Sequence, residues 1–291
     1  MCRRPGGWLG TARNLGKVMQ PEKQQLSITV DETVPTAARM YDYYLGGKDN
    51  FAADRAAVAE LDNVVPSTRA LAVNNRRFLQ RAVRVLAEDH GIKQFLDHGS
   101  GLPTQENVHH VAQRIHPDAH VVYVDNDPVV LAHGRALLVE DERTTVIQAD
   151  LRDTEAIFTH PDTERLIDFS QPVAVLFNSV FHCIPDSETD GPMAVVRRVT
   201  ERLVPGSYLV MCQLVSEDPA IRESVTKFMD QATHGHWGRV RQEKDVAEWF
   251  EGMDILEPGL VEVSTWRPDG ATAPQQLTSE WIEFGGIARL R

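Results

Sequence analysis

The residues of this chain best suited to joint chemistry are three aspartates, each closing an apolar run. Asp97 follows Phe95-Leu96, Asp125 follows Val121 to Val124, and Asp150 follows Val146 to Ala149. Directly after Asp97 come His98-Gly99-Ser100-Gly101, then Leu102-Pro103-Thr104. An apolar strand, a tight glycine turn and a helix start is the layout of a nucleotide-type site in an open α/β sheet. A dinucleotide loop would carry a third small residue three positions after Gly101, but that position is Thr104, and Pro103 beside it removes an N–H that a pyrophosphate could use. A carboxylate at the mouth of the loop also repels a pyrophosphate and attracts a cation. S-adenosylmethionine carries two cationic groups, an ammonium and the methyl-bearing sulfonium. The turn therefore reads as a site for that methyl donor.

In an open parallel sheet the carboxyl ends of the strands line the ligand crevice. Asp125 follows Gly101 at close to the roughly 20-residue offset at which an acid accepts hydrogen bonds from both ribose hydroxyls. Asp150 can accept from the adenine amino group while the Leu151 N–H donates to a ring nitrogen. Asp97 would hold the methionine ammonium directly or through a water, and Gly99 and Gly101 would let the backbone approach the ligand. Any one of these acids alone is more often a plain strand-end or capping residue. Three on consecutive strands are harder to explain that way. On the acceptor side, His182 is the nearest candidate base. It is weighed against being a pocket wall.

Those residues need a scaffold. Residues 1–26 have no periodicity and are expected to be disordered, with Met19 an alternative start. Ala37, Met40, Tyr41, Tyr44 and Leu45 follow helical spacing, and Gly46-Gly47 stops that helix. Asp49 or Asn50 is expected to cap a second helix to about Ala59. Residues 27–91 thus form a helical cap or a lid over the cofactor, with Arg39, Tyr41 and Tyr44 as candidates to close the pocket. A longer helix from Ser67 to about Asp89 buries Leu71, Phe78, Leu79, Ala82, Val83 and Leu86. Its arginines, Arg76, Arg77, Arg81 and Arg84, are expected to form a solvated face.

The core, residues 92–291, alternates strands with helices. Strands are expected at Gln94–Asp97, His120–Asp125, Thr145–Asp150, Pro172–Asn178 and Ser207–Leu214, with closing strands at Leu260–Trp266 and Trp281–Arg289. Helices follow a Thr104 cap, an Asp127-Pro128 start, 188–203, 219–233 and 242–251. Pro268 to Gln276 reads as a loop. This alternation means a doubly wound sheet.

The chain has 291 residues, 42% hydrophobic and 25% charged, as for a globular α/β protein. Its net charge of −12 argues against a general nucleic-acid binder. The three cysteines, Cys2, Cys183 and Cys212, have no metal-like spacing and suggest no disulfide framework, so a reducing cytoplasm is expected. His109-His110 and His234-Gly235-His236 lack matching ligands, and no metal is expected. No apolar run approaches a membrane span, and no membrane partner is expected.

The motifs around Asp97, around Val122 to Pro128, at Ala149-Asp150-Leu151-Arg152 and at Asn178-Ser179-Val180-Phe181-His182 resemble the successive motifs of class I S-adenosylmethionine-dependent methyltransferases. Pro205-Gly206-Ser207 is similar to their entry into strand five. Pro35 to Phe51, Asn75-Arg76-Arg77-Phe78-Leu79 and Phe95 to Thr104 resemble, more narrowly, an actinobacterial S-adenosyl methyltransferase family of unassigned substrate. The resemblance covers roughly residues 33–291. It implies a Rossmann-like seven-stranded sheet with one antiparallel strand, Trp281 to Arg289, and an N-terminal helical extension. It places Asp97, Gly99, Ser100 and Gly101 around the methionine, Asp125 and Asn126 at the ribose and adenine, Asp150 and Leu151 at the adenine edge, and Asn178 against the ligand. Leu102-Pro103 departs from the general pattern, where a third glycine is frequent.

The expected function is methyl transfer from S-adenosyl-L-methionine to a small molecule. The stretch after Asn178 lacks the Pro-Pro-aromatic run used to stack a flipped base, which with the acidity lowers nucleic acid as substrate. Two alternatives stand: a non-catalytic protein binding S-adenosylmethionine or S-adenosylhomocysteine, and an NAD-dependent or nucleotide-sugar enzyme, which the broken third-glycine position and Asp97 oppose.

Overall fold

A computed structural model describes residues 1, 30–103, 106–137, 142–270 and 279–291. The tail expected at 1–26, the capping role of Thr104 and most of the loop from Pro268 lie outside the described residues. The order of elements is α1 (Ala37–Tyr44), α2 (Ala52–Val64), α3 (Thr68–Glu88), β1 (Gln94–His98), α4 (Val108–Ile115), β2 (His120–Asp125), α5 (Pro128–Leu137) and β3 (Thr144–Gln148). Then come α6 (Thr154–Phe158), α7 (Pro161–Leu166), β4 (Ala174–Asn178), α8 (Pro192–Thr200), β5 (Tyr208–Val215), α9 (Pro219–Ala232), α10 (Glu243–Ala247), β6 (Asp254–Ile255), β7 (Val261–Glu262) and β8 (Ile282–Arg289).

The strands form one sheet in the order β3-β2-β1-β4-β5-β8-β6, with β7 also on β8. The first five are parallel and β8 runs antiparallel to β5 over its whole length. A strand has only two sides, so β6 and β7 share the outer edge of β8, pairing at Arg289 and Ala288 and at Gly285 and Phe284 respectively. Eight strands thus occupy the seven positions expected, the outermost broken into two-residue pieces. Leu260–Trp266 is not one strand. After Val261–Glu262 the chain turns, and the carbonyls of Val263 and Trp266 accept hydrogen bonds from Arg81 instead of a strand.

Continuously apolar strands are buried on both faces, as parallel strands between helix layers must be. On one face Phe95, Val121, Leu176 and Val210 meet Phe78, Leu86, Val108 and Val111 of α3 and α4. On the other, Leu96, Val122, Val175 and Leu209 meet Ile157, Leu166, Val195 and Val246 of α6, α7, α8 and α10. Alternate residues of each strand feed the two layers. A third cluster joins Met40, Tyr44, Leu61 and Leu71 of the N-terminal helices to Leu214, Met229, Trp237 and Trp281.

Three local expectations change. The N-cap of α2 is Phe51, whose N–H donates to Asp54, because Asn50 and Asp49 turn to Asp42 instead. The N-cap of α4 is Asn107. The arginine face of α3 is only partly solvated: Arg76, Arg77 and Arg84 are half-buried, and Arg81 is only 5% exposed against the closing segment.

Candidate functional site

A cavity of about 810 Å³ opens at the carboxyl ends of β1, β2 and β4, under α1 and the start of α3. One end is polar, lined by Asp97, Gly99 to Gly101, Asp125, Asn126, Asp150 and Leu151. The other is apolar, lined by Tyr44, Leu61, Leu71, Leu214, Met229, Trp237 and Trp281. Asn75, Asn178, Ser179, His182 and Glu283 also line it. The cavity thus gathers the residues singled out from the sequence, including Arg39 and Tyr41 from α1.

The glycine turn owes its shape to two left-handed residues, Gly99 (φ +69°) and Gly101 (φ +66°). A side chain on Gly99 would also put Cβ 2.2 Å from Val180 Cγ2. The N–H groups of Gly99 and Ser100 donate to Val124 O at 2.8 and 3.2 Å, folding the turn across the end of β2. Asp125 secures it: Oδ2 accepts from Gly101 N and Oδ1 from Asp127 N, each at 2.9 Å. Each carboxylate oxygen retains a lone pair for a ligand.

Asp97 pairs in register with Tyr123 and Leu176, at the centre of the sheet. It is only 4% exposed and accepts no hydrogen bond from the described residues. Burial raises its carboxyl to about 7, with the Arg76 cation opposing and Asp125 adding to the rise. Burial likewise raises Asp125 to about 6, against the backbone N–H groups it accepts. A buried carboxylate without donors is stabilised by a bound cation, which meets what the ammonium of S-adenosyl-L-methionine requires.

Asp150 lies two residues beyond β3, not at its last position. Its carboxylate is gripped by Arg152, with Nε 3.0 Å from Oδ1, and this hydrogen bond holds the carboxyl below the usual range. Leu151 packs into the core and its N–H donates to none of the described residues. Asn126 is exposed at the rim.

Between the two ends runs a network. Tyr41 Oη donates to Asn75 Oδ1 at 2.8 Å, Asn178 Nδ2 donates to the same oxygen at 3.0 Å, and Asn75 Nδ2 donates to Cys212 Sγ at 3.2 Å. The Cys212 thiol donates to Asn178 Oδ1 at 3.2 Å. Asn178 is thus locked to α3 and β5, and burial raises both the Tyr41 hydroxyl and the Cys212 thiol. Arg39 is committed elsewhere. Its Nε donates to both oxygens of Asp54, at 3.1 and 3.0 Å, and Nη2 to Val34 O. Tyr44 Oη donates to Asp62 at 2.8 Å.

His182 sits in a single 3-10 turn after β4, its ring 4.6 Å from that of Trp237. Nδ1 is buried without a partner among the described residues. Burial and the Arg241 cation lower the imidazole to about 3, so it is neutral. Arg241 also pins this turn through Phe181 O and Ile184 O, both at 2.8 Å.

Glu283 of β8 escaped the sequence reading. It is 1% exposed, Oε1 accepts from Ser179 Oγ, and Oε2 has no partner among the described residues. Burial raises its carboxyl to about 8, the Ser179 hydroxyl and the neighbouring Cys212 thiol opposing. The available signal was a lone acid in the apolar run Trp281-Ile282-Glu283-Phe284. Among the described residues no cluster could hold a metal ion, and no helix is long and apolar enough to cross a membrane.

A family model described as S-adenosyl methyltransferase matches residues 23–291. A crystal structure from Thermobifida fusca, of a protein provisionally named a methyltransferase, is 43% identical with a TM-score of 0.82, over 89% of this chain and 96% of that one. A DUF574 family protein from Streptomyces avermitilis is 34% identical with a TM-score of 0.79, over 89% of this chain and 98% of that one. No curated protein matches the chain.

Proposed function

Because this chain belongs to the S-adenosyl methyltransferase family and is a methyltransferase with S-adenosyl-L-methionine as its cofactor, we propose that it methylates a small molecule held in the apolar end of the cavity. The observation that carries this reading is Asp97, a buried carboxylate lacking donors among the described residues, in one cavity with a large apolar wall. When bound, the cofactor supplies an electrophilic methyl carbon on a positively charged sulfur.

The chain's own residues bind and orient. Asp97 holds the ammonium, and the backbone of Gly99, Ser100 and Gly101 closes around the methionine. Asp125 accepts from the ribose hydroxyls with the lone pairs left free by Gly101 and Asp127, and Asn126 flanks the nucleoside. Asp150 and the Leu151 N–H read the adenine edge. Asn178, fixed by Asn75 and Cys212, faces the reacting end. His182 offers Nδ1 as a neutral acceptor on the wall. Its low proton affinity suits positioning better than general-base work. Residues 27–91 act as a lid, with Tyr41 tied to the network below, Tyr44 as wall, and Arg39 bracing α1 on α2. Aligning the two reactants can supply most of the catalysis in such an in-line displacement.

Calorimetric titration with S-adenosyl-L-methionine, beside NAD, tests the cofactor site. The variant to compare is Asp125→Asn, which keeps one of the two acceptor oxygens, whereas Asp125→Ala would release both the Gly101 and Asp127 N–H groups. Expected are binding lost or weakened at least about tenfold in the variant, with no response to NAD. Folded protein that fails to bind the methyl donor would overturn the reading. Labelled methyl transfer to small molecules of cell extract, rather than to its nucleic acid, tests the acceptor class.

A further inference from the structure

Glu283 is not among the residues proposed to hold the cofactor, and of the described carboxylates that line the cavity it is the one set beside the apolar wall. It lies opposite Leu214 in the β5–β8 register and two residues from Trp281 on the same face of β8. Both neighbours line the apolar end with Tyr44, Met229 and Trp237. Its link to the cofactor end is Ser179, the residue after Asn178 at the end of β4, which donates to Oε1 and leaves Oε2 buried without a partner among the described residues. Each arginine that lines the cavity already has a partner. Arg39 is on Asp54, Arg152 on Asp150, and Arg76 on Asn107 Oδ1 at 2.8 Å. The lining contains no lysine among the described residues. An anionic acceptor would have to compete for arginines already engaged, whereas an ammonium would find Glu283 and two indoles.

We infer that the methyl acceptor is an amine on an apolar or aromatic body, and that Glu283 is the catalytic residue that binds its ammonium and takes its proton. This rests on the methyltransferase reading and gives the substrate class. The carboxylate first accepts one proton from the ammonium, becoming a carboxylic acid and leaving a neutral amine. The nitrogen lone pair then forms the N–C bond as the C–S bond breaks, its electron pair going to sulfur. The sulfonium becomes a thioether and the product is an N-methylammonium. The proton on Glu283 leaves to solvent with the products. A carboxyl raised to about 8 by burial is close to the operating pH, where a general base is most effective.

The test uses the full chain, with benzylamine, phenylethylamine and tryptamine, each beside a carboxylic acid and an alcohol of matched size. Binding is read by calorimetry with S-adenosylhomocysteine present, and turnover by its release from S-adenosyl-L-methionine. Expected is at least about tenfold tighter binding of the best amine than of its acid or alcohol, with methylation at nitrogen. Glu283→Gln should reduce amine affinity and turnover by about tenfold or more while donor affinity stays within about twofold. No amine preference, or an unchanged Glu283→Gln, overturns the inference. Should Glu283→Gln also lose the donor, Ser179→Ala decides: it frees the carboxylate but keeps its charge. Turnover reduced several-fold with the amine preference kept supports the inference, and unchanged turnover overturns it. Wild-type protein that binds no methyl donor would instead sink the underlying reading.

Discussion

Asp97 ionises with difficulty, so its proposed role at the donor ammonium predicts how binding responds to pH. Its carboxyl is raised to about 7 from its ordinary value of 3.8, so the folded state holds this proton more tightly than the unfolded chain. The stability linked to it is therefore fully present below about 4 and lost as pH rises to about 7. An ammonium is bound only by the carboxylate, so donor binding must expel the proton below that point. Calorimetry should find the affinity for S-adenosyl-L-methionine falling about fivefold from pH 7 to 6, approaching tenfold per unit below that, and changing less than about twofold from 7 to 7.5, with Asp97→Asn weak and flat throughout. A flat wild-type profile would remove Asp97 from the ammonium site. Gly99→Ala combines a left-handed φ with a Cβ 2.2 Å from Val180. It should lower stability by about 1–3 kcal/mol in chemical denaturation and weaken donor binding more than Gly101→Ala, whose Cβ meets nothing.

Single buried cations hold whole elements here. Arg39 joins α1 to Asp54 of α2, and Asp54 also accepts from the Thr36 and Phe51 N–H groups, so one carboxylate fixes both helix starts. Breaking a buried pair leaves an uncompensated charge. Asp54→Ala is expected to cost about 3–5 kcal/mol, seen as lost amide-exchange protection over residues 36–64 while β1 and β4 stay protected. Arg81 works at the opposite edge, its guanidinium on Val263 O and Trp266 O while Trp266 stacks edge-on against Phe78 at 5.5 Å. Arg81→Met should cost about 2–4 kcal/mol by stranding both carbonyls, with donor affinity changed less than twofold because Arg81 does not line the cavity.

Across the whole molecule, the N-terminal segment spans both ends of the cavity. Val30 and Ala38 pack on Leu102 of the glycine loop and on Val129 and Val130 of α5, while Met40 and Tyr44 join the apolar cluster with Trp237 and Trp281. Closing such a segment over a bound cofactor would order it. Hydrogen exchange over residues 30–51 is expected to slow on adding S-adenosyl-L-methionine, and a segment whose exchange is unchanged would not be a lid.

The sequence by itself determined what depends on neighbours along the chain. Apolar runs ending in an acid fixed β2 at His120–Asp125, the glycines fixed the turn after β1, and parallel order then carries the ends of adjacent strands to one crevice. That these residues line one cavity was legible for that reason. Only the tertiary structure decided the rest. Arg81 looks solvated on a helical wheel until carbonyls some 180 residues away claim it. Arg39 looks like a ligand group until Asp54 takes it, and Glu283 looks like one acid in a closing strand until β8 runs back beside β5 and sets it next to Ser179. Each of these charges is buried, and a buried charge takes its role from whichever group reaches it through space, which spacing along the chain does not encode.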